Sequence, residues 1–389
     1  MQFVRLHGAV SFLGLASKLN AIHSQFSAAH TKKEGIMAKN LILFDFNNLA
    51  HRCIHQRGLG CGADQRSWDL LAYMIFTIMY DFVIQCTEHL EPGDTVDVVL
   101  ALDSKDGYWR RDIYPPYKAD RTEKRAADGI DWPRAYAEFD KLTDAVDCFT
   151  PWKVVRVSQC EADDVIYALS ELHQTMHPDS VVIIHSGDSD YLQLVSDNVL
   201  LYSPMQKEFV DFPHVCSLSG GKVLCASPAE YLDYAIITGQ GGKDNVYNIK
   251  TPTDWDASSG KRKPGCGVAA ARKMMASPEG LEACLKNNGL WENYKRNRQL
   301  IDMRELPSWY MRNISDAYLG MEARPCDMDG LLSIYVWPSI IAEKESYAAT
   351  LDFLASGESG EGAGRSASPG IEGGNSGSSD LTDDPAFFL

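Results

Sequence analysis

Leu41-Ile-Leu-Phe-Asp45 is a short apolar run closed by an acid, and the same construction returns along the chain. Val98-Val-Leu-Ala-Leu-Asp103 repeats it. Lys153–Val157 is followed closely by Glu161-Ala-Asp163-Asp164, and Val181-Val-Ile-Ile-His-Ser-Gly-Asp188-Ser-Asp190 completes the set. Runs dense in Val, Ile and Leu, with little alternation, read as strands buried on both faces. The predicted strands are Leu41–Phe46, Val96–Asp103, Lys153–Val157 and Val181–His185, with helix-length segments such as Leu70–Ile84 and Glu161–Leu172 between them. That alternation predicts an α/β domain, a central and mostly parallel sheet flanked by helices. From about Ser227 the pattern turns helical with Gly-rich interruptions, so a second, mainly α module is expected.

In a parallel sheet the C-terminal strand ends share one edge, where open α/β sheets place their sites. Asp45, Asp103, Glu161, Asp163, Asp164, Asp188 and Asp190 are thereby predicted to converge. One such acid alone says little, because an Asp after a strand often only caps a helix. Together on one edge they repel one another, and cations are implied. An all-carboxylate set without His or Cys favours Mg²⁺, with Mn²⁺ as a substitute, over zinc. Clustered acids could hold two ions, an arrangement suited to displacement at a phosphate ester.

The stretch downstream of Asp103, Tyr108-Trp-Arg110-Arg111-Asp-Ile-Tyr-Pro-Pro-Tyr117-Lys118-Ala-Asp-Arg121, interleaves bases with aromatics. That pattern suits phosphate contact with base stacking, although a packed surface loop can look the same. A second basic patch, Lys261-Arg262-Lys263, precedes Gly265-Cys-Gly267, a glycine turn opening a helix. Such a helix start can hold a backbone phosphate, or be a plain junction.

Composition sets the limits. The 389 residues carry a formal charge of −16, with 45% apolar residues. This provides for about two or three domains with real cores. A plain basic-surface nucleic-acid binder is disfavoured. The apolar stretch Leu70–Tyr80 is too short to span a bilayer, which excludes an integral membrane protein. Ten cysteines without a C-x-x-C pair read as reduced thiols of an intracellular, cytoplasmic protein with no structural zinc. Residues 1–36 read as an unfolded extension, Met37 being a second possible start, with the α/β domain over 37–226 and the helical module over 227–345. Residues 346–389 read as a flexible tail, Gly/Ser-rich from Ser356, whose acidic-aromatic tip ends in Phe387, Phe388 and Leu389, a candidate docking peptide.

The ordered motifs Leu-Phe-Asp45, Leu-Asp103 with Tyr-Trp-Arg-Arg111 and Tyr-Lys-Ala-Asp-Arg121, Glu161-Ala-Asp-Asp164, Gly-Asp188-Ser-Asp190 and Lys-Asp244-Asn245 resemble the 5′ nuclease and flap endonuclease superfamily. Within it, Gly107–Arg111 and Ser203–Met205 are similar to the T-even-type phage ribonuclease H branch. The resemblance spans roughly residues 40 to 320. It implies a PIN-like nuclease domain with a helix–three-turn–helix module that grips duplex backbone and, in relatives, holds K⁺. It also implies a monomeric, magnesium-dependent 5′ to 3′ exonuclease and flap endonuclease of DNA replication, acting on branched DNA and RNA–DNA hybrids. Asp45, Asp103, Glu161 and Asp163 would surround a first ion, and Asp163, Asp188 and Asp190 would reach a second, with Asp164 and Asp244 nearby. Lys118 and Arg110 would steer the phosphate, Tyr117 would stack on a terminal base, and Arg111, Arg121, Lys261–Lys263, Gly265 and Gly267 would contact nucleic acid. The products would carry a 5′-phosphate and a 3′-hydroxyl.

Where the superfamily shows Gly-Asp-x-x-Asp-Asn, this chain has Gly239-Gln-Gly-Gly-Lys-Asp244-Asn245. Gly241 stands three residues before Asp244, so the outer acid is missing and a weakened second ion site is expected. Two other readings compete. A non-catalytic DNA-binding scaffold would keep the acids without turnover. A haloacid-dehalogenase-type phosphatase would use Phe44-Asp-Phe-Asn47, but needs an Asp where Asn47 stands. The tail would dock on a sliding clamp or a single-strand-binding protein.

Overall fold

The computed structural model describes residues 38–55, 64–87, 93–218, 221–252, 255, 264–322 and 324–356. Five parallel strands, β1 (Lys39–Asp45), β2 (Thr95–Leu102), β3 (Lys153–Arg156), β4 (Val182–His185) and β5 (Val199–Ser203), form a sheet that antiparallel β6 (Glu208–Phe209) extends. The strand order is β3-β2-β1-β4-β5-β6, so the chain reverses its direction of travel between β1 and β4. That switch point opens a crevice beyond the carboxyl ends of the two strands. A separate hairpin, β7 (His214–Leu218) and β8 (Gly221–Cys225), follows.

Helices cover both faces. Apart from two short helices in the segment after β2 (Arg110–Ile113 and Arg121–Ala126), they are in chain order α1 (Phe46–Ile54), α2 (Gln65–Thr87), α3 (Trp132–Phe149), α4 (Ala162–Met176), α5 (Pro228–Thr238), α6 (Val268–Met275), α7 (Leu281–Asn287), α8 (Trp291–Ile301), α9 (Ser308–Leu319), α10 (Met328–Ile334), α11 (Pro338–Ala342) and α12 (Lys344–Ser356). Successive side chains of β1 point to opposite faces. Leu41 and Leu43 join Val165, Ile166 and Leu169 of α4 and Ile236 of α5 in one core. Ile42 and Phe44 join Ile75 and Phe76 of α2, Leu142 of α3, and Leu331, Ile340 and Leu351 of α10–α12 in the other.

All four predicted strands are present to within two residues, and the helical pattern does begin at Ser227, the N-cap of α5. Leu70–Ile84 is the interior of the longer α2. By length and mean hydropathy (1.6) α2 could cross a membrane. Here Leu71, Ile75, Phe76, Met79 and Val83 instead bury one of its faces in the core of the sheet. The expected tail start at residue 346 is corrected. That position lies inside α12, whose Leu351 and Leu354 are buried beside the sheet. Likewise α10–α12 return to the face covered by α2 and α3, and do not extend the module begun by α5. The expected extension 1–36, the basic patch Lys261–Lys263 and the tip Phe387–Leu389 lie outside the described residues.

Candidate metal centre and its basic strap

Asp45 ends β1 and caps α1, accepting from the Asn48 backbone N–H at 3.0 Å. Ser186 Oγ and Tyr191 Oη donate to its other oxygen at 3.0 and 3.2 Å. Burial, with Asp103 and Asp188 adding repulsion, pushes this carboxyl up to about 7. Asp103 follows β2 and accepts from the Ala162 N–H at 2.9 Å, at the start of α4, and from Asn47 Nδ2 at 3.3 Å. Burial and the neighbouring Glu161 raise it too. Asn47, the position on which the phosphatase reading turned, is thus an amide serving Asp103.

Glu161 is the N-cap of α4 in a capping box with Asp164, so local helix chemistry holds both acids in place. Asp163, between them, rises well above the usual carboxylate range because burial and both neighbours oppose its charge. Glu161, Asp163 and Asp164 can bring one oxygen each within 4.8 Å of one another, the metal-ligand grouping found among the described residues.

The basic stretch read from sequence straps this cluster from within the protein. Arg110 is 1% exposed and donates to Glu161 at 2.8 Å, to Asp164 at 3.0 Å and to the Leu300 carbonyl at 3.1 Å, with Trp109 stacked beside it at 4.6 Å. Tyr117 Oη donates to Glu161 at 3.0 Å, and Lys118 Nζ donates to its other oxygen. Burial works against the Glu161 charge, but Lys118 and Arg110 outweigh it and hold the carboxyl down at about 2. Arg121 pairs with buried Asp244 at 2.7 Å. Two expectations need correction. Tyr117 is 2% exposed with Lys118 Nζ over its ring, and so offers no face to a base. Arg110 cannot reach a phosphate past the carboxylates that enclose it. Arg111, exposed over the Tyr108 ring, is open to solvent.

At the other lip, Asp188 and Asp190 follow β4 and share the Lys243 ammonium. Its Nζ lies 2.6 and 2.7 Å from the two Asp188 oxygens and 2.7 Å from Asp190 Oδ2. Gln240 Nε2 donates to Asp190 Oδ1 at 2.6 Å. Burial opposes the Asp188 charge, but Lys243 keeps that carboxyl below its ordinary value. Burial and Asp188 raise Asp190 to about 6. Lys243 and Gln240 were not among the residues singled out from sequence. It is Gln240, and not Gly241, that reaches Asp190.

In the helical part, Gly267 is the N-cap of α6 with no side-chain cap bond, and Gly265 is exposed beside it. Arg272 of α6 donates to Tyr234 Oη of α5 at 3.3 Å.

Residues 40–217 match the family model of the 5′-3′ exonuclease N-terminal, resolvase-like domain. The chain is 28% identical over 232 residues to the ribonuclease H of Enterobacteria phage T4, covering 59% of this chain and 71% of that protein. It is 25% identical over 262 residues to the flap endonuclease Xni of Colwellia psychrerythraea, covering 65% and 79%. Among solved structures, a T5 5′-exonuclease with bound divalent metal ions (zinc) aligns at 18% identity and a TM-score of 0.49, covering 76% of this chain and 96% of that one.

Proposed function

We propose that this chain, whose residues 40–217 match the model of a 5′-3′ exonuclease N-terminal domain, is a magnesium-dependent 5′ nuclease that cleaves phosphodiesters in flaps of branched DNA and in RNA–DNA hybrids. The observation that supports the reading is that Asp45, Asp103, Glu161 and Asp163, all inside the matched region, perturb one another's charge in sequence, with Glu161 and Asp163 in one ligand-sized group. Those residues fit a hard dication. Three of the four carboxyls are raised by burial and like charge, a penalty that a bound cation removes, and Glu161 is held ionised throughout. When bound, the ion would acidify an attacking water and stabilise charge on the phosphate.

The chain's own residues supply the rest. Asn47 and the Ala162 N–H fix Asp103, while Ser186 and Tyr191 fix Asp45. Arg110 is a positioning residue that orients Glu161 and Asp164. Lys118, bonded to Glu161, is the base of the strap that we assign to the phosphate. Arg111 lies on the exposed side of the strap, where a backbone would pass. Duplex contacts fall to α5, α6 and the Gly265–Gly267 turn, with K⁺ there, and replication partners dock on the tail. The protein works as a monomer in the cytoplasm and leaves a 5′-phosphate and a 3′-hydroxyl. A 5′-labelled flap duplex should be cut with Mg²⁺ and not with EDTA, and Asp103→Asn should lower the rate at least about 10³-fold while binding persists. Tight binding without cleavage in the unaltered protein would mean a scaffold.

A further inference from the structure

We infer that the Lys243 ammonium is a built-in cation that takes the place of a second dication at Asp188 and Asp190, leaving the enzyme with a single catalytic ion. This deepens the proposed function and rests on the carboxylate cluster being a metal centre. The two acids present four oxygens, and each has a donor. The three N–H bonds of the ammonium match Asp188 Oδ1, Asp188 Oδ2 and Asp190 Oδ2. The fourth, Asp190 Oδ1, takes the Gln240 amide at 2.6 Å, with Tyr231 Oη at 3.5 Å. A dication here would have to expel the lysine, and it would meet the Gln240 amide, a neutral donor, on the remaining oxygen. The residues present therefore do not fit a second ion.

The lysine is held there by its loop. Gly239 ends α5 at φ 68°, and a Cβ on it would lie 2.4 Å from the Val246 carbonyl oxygen. Gln240 pairs with Val246 across the loop, and the Asp244 N–H returns to the Gln240 carbonyl at 2.8 Å. The Lys118 N–H binds the Asp244 carbonyl at 3.0 Å, and Asn245 Nδ2 binds the Pro116 carbonyl at 3.1 Å, tying the loop to the basic strap. Lys243 and Gln240 thus face the acids from a closed turn pinned on both sides. The fold delivers one positive charge to the two acids without metal.

Isothermal titration with Mn²⁺, and electron paramagnetic resonance of free Mn²⁺, count the ions directly. The unaltered protein should bind one Mn²⁺, and Lys243→Met two. Asp188→Asn in the otherwise unaltered chain should leave the count at one, and this variant serves if Lys243→Met fails to fold. Two ions in the unaltered protein, no gain in Lys243→Met, or loss of the single ion in Asp188→Asn would each overturn the inference while leaving the nuclease reading standing. No ion in any of the three proteins would overturn both.

Discussion

At the scale of the residue, the site is built from charges that the fold tolerates at a cost. Asp45 titrates near 7 in the folded chain and near 3.8 unfolded. Its folded pKa is raised, so its favourable contribution is complete below about pH 4 and is lost as pH rises to 7. At about 1.4 kcal/mol per unit, the penalty at pH 8 without metal is on the order of 4 kcal/mol. Asn at this position keeps the helix cap and sheds the charge. Asp45→Asn should therefore melt several degrees above the unaltered protein at pH 8 in EDTA, converge with it near pH 4, and lose cleavage. A scanning-calorimetry pair at the two pH values decides it, and an equal or lower melting point at pH 8 contradicts the account. Arg110 stands at the opposite extreme. Arg110→Gln leaves buried Asp164 without its main counter-charge and Glu161 with Lys118 alone, a loss of about 3–5 kcal/mol. The urea midpoint should fall accordingly. The acids were legible because each ends an apolar run. The partners of Arg110 and Lys118 were not, because bases near aromatics look the same whether they face DNA or a buried carboxylate.

At the scale of the element, β1 to β4 were legible because a strand buried on both faces must be apolar throughout. β5, Val199-Leu-Leu-Tyr-Ser203, has the same character and lies just after the loop that follows β4, yet a five-residue run is ambiguous without its neighbour. The loop from Gly239 to Val246 was harder to read. Its glycines carry no periodicity, and only the Gln240–Val246 pairing shows which side chain faces Asp190. That pairing depends on Gly239, where the backbone is left-handed and the Val246 and Tyr247 backbone closes in. Gly239→Ala should cost about 2 kcal/mol or more and free the turn. Amide hydrogen exchange across Gly239–Val246 should rise at least tenfold, with exchange in β1 far less affected. Unchanged protection of the turn would show that the loop does not need the glycine.

At the scale of the whole molecule, the family match ends at residue 217 but the core does not. Tyr231, Ile236 and Ile314 belong to one core, and Met328, Leu331, Trp337, Ile340 and Leu351 to the other. These contacts join residues hundreds of positions apart, which is why no local pattern announced them and why 227–345 read as a module of its own. If the sheet needs both coats, a chain cut after Cys225 keeps every strand and Asp45 through Asp190, yet leaves apolar strand residues such as Leu43 and Phe44 without part of their cover. Each large side chain so exposed forfeits about 1.5–3 kcal/mol, and a few such losses exceed the 5–15 kcal/mol that holds a domain folded. The cut chain should bind a hydrophobic dye, lose its near-ultraviolet circular dichroism and melt without a cooperative transition. A sharp transition within a few degrees of the full chain would instead mark residues 38–225 as an autonomous domain. The helices beyond it would then serve the substrate and contribute little to the fold.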